Sequence, residues 1–228
     1  RTAFDTGLAA IQAAQETIRL MKARAALLWE IDEEEVIFDG GIFRCTSTED
    51  NISFKDLSAR LMQTGGPVTC SVSAASPGSG PIIAGNLVDV EVDPETGKVD
   101  ILRYTAFMDV GTAVHPAYVE GQIQGGTVQG IGWALNESYF YDEEGVMLNS
   151  SFLDYRMPTS LDVPMIDTVM IEVPNPKHPF GIRGVGEAPI IPPLPALAIA
   201  VSNAIGVKMS DLPLTPDVIL AALESKGS

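Results

Sequence analysis

The chain has 228 residues, 46% of them hydrophobic, and a formal net charge of −16 from 30 acidic against 14 basic residues. That much apolar material supplies a sizeable core for one large domain or two small ones, which excludes a disordered chain. The acidic excess opposes nucleic acid or an anionic membrane as partner, and no stretch reaches the roughly 20 uncharged apolar residues of a membrane-crossing helix.

Leu8, Ile11, Gln15, Ile18 and Met21 follow a three-or-four step between Thr6 and Glu30 and predict a long amphipathic helix. Val36-Ile37-Phe38 and Ile42-Phe43-Arg44, joined by Asp39-Gly40-Gly41, read as a short hairpin. Ser53 is a good N-cap for a helix from Phe54 to Met62, which Thr64-Gly65-Gly66-Pro67 stops. Ser71 to Gly80, rich in Ser, Gly and Pro, is a surface loop or one that shapes a cavity.

The clearest strand signal runs from Asn86 to Tyr104, where Val88, Val90 and Val92 alternate with acidic residues and Pro94-Glu95-Thr96-Gly97 turns the chain into Val99-Asp100-Ile101-Leu102. Asp109-Val110-Gly111 ends this sheet segment, and His115-Pro116 opens a helix. Asp142-Glu143-Glu144-Gly145 is a solvated turn, Met165 to Val173 a further strand, and helices from about Pro195 to Ile205 and from Pro216 to Leu223 finish the chain. Strands and helices mix without a βαβ rhythm, so the expected class is α+β: a two-layer sandwich of mixed or antiparallel sheet with packed helices. Two subdomains, approximately 1–85 and 86–228, are the expected division.

Cys45 and Cys70 match neither a zinc pair nor the four thiolates of an iron-sulfur cluster, and are expected as reduced core thiols. His115 and His178 are each followed by Pro and read as loop residues, so no metal site built from protein side chains is expected. With no sign of secretion, a cytoplasmic location is expected.

Two segments carry chemistry. Gly121 to Trp133 reads as helix yet holds five glycines, each costing roughly 1 kcal/mol against alanine. Close approach of another backbone, or of a bulky ligand, to a face without side chains would offset that cost. Gly121/Gly125 and Gly126/Gly130 each line a stripe, and Gln129 can both donate and accept a hydrogen bond there. The second segment, Gly184-Val185-Gly186-Glu187, sets one carboxylate on a glycine-hinged turn before the apolar run from Ala188 to Ile205. A catalytic base and a residue that merely opens a helix are both compatible with that position.

Together these segments resemble the molybdenum hydroxylase family, which includes xanthine dehydrogenase, aldehyde oxidoreductase and the aerobic carbon monoxide dehydrogenases. Its large subunit pairs a Gly-Gly-x-x-Gln-Gly-x-Gly helix with a later Gly-x-(Lys/Arg)-Gly-Val-Gly-Glu-x-Pro turn. Here these are Gly125 to Gly132 and Gly181 to Pro189. Ser151-Phe152-Leu153-Asp154-Tyr155-Arg156-Met157-Pro158, the tail Leu212-Pro213-Leu214-Thr215-Pro216 and the opening Arg1-Thr2-Ala3-Phe4 also look like the family's. One departure is His115, where the family commonly has Asn.

The resemblance implies that this is the C-terminal portion of a molybdopterin-binding large subunit, part of an enzyme that oxidises an aldehyde, N-heterocycle or related small molecule with oxygen taken from water. It implies Glu187 as the general base and Gln129 as the amide that hydrogen-bonds the molybdopterin-type cofactor. Gly125, Gly126 and Gly130 would admit that cofactor, and Arg1, Thr2 and Ala3 would end the loop that grips the pterin. The molybdenum would be held through the pterin, with no protein metal ligand. Iron-sulfur clusters and FAD would sit on partner domains or subunits, in an oligomer that includes the remainder of the subunit. The alternative is a non-catalytic structural and assembly module that completes the cofactor site only with the rest of the subunit.

Overall fold

The structure is a computed structural model and describes residues 2–75 and 80–227. It divides into two compact units, Thr2–Ser76 and Pro77–Ser228. The boundary precedes the expected 85/86 because Ala84 and Gly85 already pair with Met108 and Phe107 in a sheet.

In the first unit a π-helical turn, Thr2–Thr6, leads into α1 (Gly7–Trp29), which ends on Glu30 in the left-handed region at φ 59°. Met21, Ala25 and Ala26 form its buried face. They share a core with Val36, Phe43, Ile52 and Leu57. The sheet is β1 (Val36–Asp39), β2 (Ile42–Cys45) and β3 (Asn51–Ser53), antiparallel throughout. Gly40 and Gly41 make the two-residue turn at φ 55° and 82°, the left-handed pair that matches strand twist. β3 has three residues, too few for an alternating pattern to show in the sequence. Ser53 caps α2 (Phe54–Ala59) by accepting from the Asp56 amide at 3.0 Å. The helix is shorter than expected, because the chain tightens into a 3₁₀ turn over Leu61–Gln63. Cys45 is buried and Cys70 half-buried, both as free thiols.

The second unit is built on β4 (Ala84–Val92), β5 (Val99–Asp109) and β6 (Ile166–Ile171). β4 and β5 are antiparallel and β5 and β6 parallel, so the sheet is mixed. Val88, Val90 and Val92 are half-buried while Asp89 and Glu91 are exposed, as the alternation requires. β5 continues past Tyr104 because Tyr104, Ala106 and Met108 keep the same period and enter the core.

Three helices complete the unit: α3 (Pro116–Leu135), α4 (Pro193–Ile205) and α5 (Pro216–Gly227). α3 packs on β5 and β6, α4 on β4, and α3 and α4 on each other, giving one layer of helices on one sheet. The fold is therefore α+β. The window Ala188–Ile205 has a mean hydropathy of 1.6 over 18 residues. It folds as a 3₁₀ turn, Ala188–Ile190, followed by α4, whose Leu197, Val201 and Ile205 enter the core at roughly 1.5–3 kcal/mol each. Gly206, at φ 68°, terminates α4, and Lys226 Nζ donates to the Ile205 carbonyl at 2.8 Å.

Candidate functional site

α3 starts where its sequence says it must. Pro116 occupies the first turn, where its missing N–H costs nothing, and His115 Nδ1 accepts from the Tyr118 amide at 3.3 Å. His115 thus supplies the acceptor that an Asn would supply at the same cap.

The glycines of α3 do two different things. A Cβ on Gly126 would lie 2.8 Å from Pro189 Cβ, and one on Gly130 would lie 2.7 Å from both the Ile190 carbonyl oxygen and Pro193 Cγ. These two glycines let the segment after Glu187 lie directly on the helix. Gly121 and Gly125 have nothing within 4 Å of a built Cβ. Gly125 and Gln129, one turn apart, are both exposed, so this stripe is bare where the neighbouring one is filled.

The other motif segments also converge on α3. A Cβ on Gly186 would meet Gln122 Oε1 at 3.4 Å, and one on Gly132 would meet Pro158 Cδ at 2.7 Å. The Leu214 amide donates to the Ala134 carbonyl at 2.7 Å. The chain from Gly186 to Pro193 therefore runs along α3 from Gln122 to Gly130, which brings the Glu187 backbone alongside the helix between Gln122 and Gly126. Gln129 lies about 4.5 Å further along the axis than Gly126.

Glu187 stands at the entrance of the 3₁₀ turn with φ −110° and ψ −27°, and its side chain makes no capping hydrogen bond. Its residue is exposed. Upstream, Gly181 takes φ 67° and Gly111 φ 68°, and a Cβ on Gly111 would collide with the Gly181 carbonyl oxygen. Arg183 then forms an ion pair with Asp109 at 3.0 Å, both side chains nearly buried. In the sequence Arg183 is the basic position of the Gly181 to Pro189 motif, while Asp109 lies outside both motif segments. The partner of Arg183 is the part the motif does not reveal, because Asp109 lies 74 residues earlier in the chain.

Of the remaining expected site residues, Thr2 and Ala3 lie in the π-helical turn of the first unit, Ala3 exposed, and Arg1 lies outside the described residues. A cavity of about 490 Å³ opens between the Arg156 segment and the start of α5, and neither Glu187 nor Gln129 lines it. Among the described residues no cluster of three or more His, Cys, Asp or Glu side chains is arranged to hold a metal ion.

Residues 1–164 match the family described as the molybdopterin cofactor-binding domain. The chain belongs to that family. It is 32% identical to the 6-hydroxypseudooxynicotine dehydrogenase complex subunit gamma of Paenarthrobacter nicotinovorans, over 97% of this chain and 29% of that protein. It is 37% identical to the xanthine dehydrogenase molybdenum-binding subunit of Escherichia coli O157:H7, over 72% of this chain and 22% of that protein. The fold matches a crystal structure of Cu,Mo-CO dehydrogenase with a TM-score of 0.81 and 25% identity, over 100% of this chain and 30% of the other. This molybdopterin-binding domain thus spans less than a third of the length of these relatives, all of them dehydrogenases by name and two of them named for molybdenum.

Proposed function

We propose that this chain is the part of a molybdenum hydroxylase large subunit that presents a general base, Glu187, beside a cofactor seated over the Gly125–Gln129 face of α3. One observation carries the reading: α3 gathers the motif segments around itself, fills the Gly126/Gly130 stripe with its own chain, and leaves the adjacent Gly121/Gly125 stripe bare. A helix that spends glycines on an empty face gives up roughly 1 kcal/mol at each. A ligand on that face gives the loss a purpose.

The residues present fit such a group. A bare glycine stripe admits a planar ring system closely, and the exposed Gln129 amide offers a donor and an acceptor at its edge. When bound, the molybdenum-pterin group would take up the two electrons that leave with the hydrogen displaced from the substrate's carbon. Glu187 removes the proton from the water-derived hydroxyl that attacks the substrate's electrophilic carbon, so it must be anionic when the substrate arrives. Its carboxylate is available for this because no cap engages it. The same position, on a turn hinged by Gly184 and Gly186, holds it beside the helix while leaving its end in the open.

Substrates of this class are aldehydes and N-heterocycles. Iron-sulfur clusters and FAD on partner domains or subunits would carry the electrons away. The remainder of the subunit would cover the apolar side chains that this chain leaves bare, among them Phe152, Leu153 and Met157 within the same stretch as Pro158.

The assembly-module reading has one observation in its favour: Gly126 and Gly130 serve packing within the chain. Gln129→Ala separates the two. Gln129 is exposed, so its truncation should leave the melting temperature unchanged and lower the molybdenum content or shift the metal's absorption spectrum. Unchanged content, spectrum and rate would favour the module.

A further inference from the structure

Arg183 lies four residues before Glu187 and ties together the strand ends at one edge of the second sheet. Its Nη1 donates to the Pro81 carbonyl at 3.0 Å, just before β4 begins. Its Nε lies 3.0 Å from Asp109 Oδ2 at the end of β5 and donates to the Val173 carbonyl, just past β6, at 3.3 Å. Its own amide donates to the Val110 carbonyl at 3.2 Å. Asp109 contributes as much: its Oδ1 accepts from the Gly111 amide at 3.0 Å and the Val173 amide at 3.3 Å. The two side chains are only 10% and 13% exposed, so the pair is largely withdrawn from water. A planar guanidinium with several fixed donors suits this task, whereas an ammonium could not reach all three segments at once.

Between this clasp and Glu187 stand only Gly184, Val185 and Gly186. Val185 packs against the core. On the far side Pro189 is seated against Gly126. The turn is therefore fixed at both ends while its glycines would otherwise let it wander. We infer that Arg183 and Asp109 are a positioning pair for Glu187: they set where the turn leaves the sheet and hence where the carboxylate stands. This rests on the reading of Glu187 as the base.

The test uses the assembled holoenzyme carrying Arg183→Met, Arg183→Lys or Asp109→Asn, with Glu187→Gln as a control. Arg183→Met should lower kcat roughly 100-fold, the cost of a misplacement of about 1 Å, with KM and molybdenum content unchanged. Arg183→Lys, which keeps the charge opposite Asp109, should recover part of that loss. In the full chain, hydrogen exchange of the amides in residues 181–190 should quicken in Arg183→Met while the centre of β5 stays protected. A kcat within about twofold of wild type for Arg183→Met, beside an inactive Glu187→Gln, would overturn the inference and leave the base intact. If Glu187→Gln itself turns over, the base reading fails instead, and unchanged exchange in residues 181–190 would then also overturn the clasp. Should Arg183→Met not fold, Arg183→Lys carries the same comparison: equal kcat and equal exchange to wild type overturn the inference.

Discussion

Glu187→Gln in the assembled subunit is expected to keep molybdenum and pterin bound while kcat falls about 100- to 10,000-fold, the usual cost of losing a general base. The amide has the shape of the carboxylate and cannot take the proton. The loss should be purely chemical, because the side chain is exposed and makes no capping bond whose removal would unsettle the turn. Turnover measured beside metal content and melting temperature checks this. Wild-type turnover removes Glu187 from the mechanism, and a lowered melting temperature would show a structural contact that this geometry lacks.

The second large effect is a difference of sign between two glycines five residues apart on one helix. Gly130→Ala places a methyl group 2.7 Å from a carbonyl oxygen and a proline ring, neither of which can rotate away. Overpacking of that kind costs about 3 kcal/mol at the upper end, against a helix-propensity gain of about 1 kcal/mol. A net loss of roughly 2 kcal/mol is expected from those two terms. The displaced Pro189–Pro193 segment would also carry Glu187 with it, so turnover should fall. Gly125→Ala meets nothing within 4 Å and should raise stability by up to about 1 kcal/mol. If the bare stripe seats the cofactor, the same methyl group should lower molybdenum content. Urea unfolding of both variants, with metal analysis, measures the two effects. Equal stabilisation by both would mean that the Ile190–Pro193 contact does not form.

Local chemistry made much of this fold legible in the sequence. The Val88/Val90/Val92 alternation fixes the wet and dry faces of β4, His115-Pro116 starts α3, and Gly40-Gly41 closes the first hairpin. What the sequence hid depends on partners far along the chain. The two glycine stripes of α3 follow from spacing alone, but which one is filled depends on where Pro189 to Pro193 come to lie. Arg183 is the basic position of a motif, but its role in holding strand ends together shows only when Pro81, 102 residues earlier, accepts its hydrogen bond. β3 is too short to carry a pattern, and its strand character comes from the edge of β2.

The most direct test is the position of molybdenum, located by anomalous scattering in crystals of the loaded large subunit that contains these residues. The metal is expected over the Gly125–Gln129 face of α3, on the side where the Glu187 turn runs along the helix. Molybdenum bound elsewhere, with that face still bare or covered by another stretch of the subunit's own chain, would contradict the account.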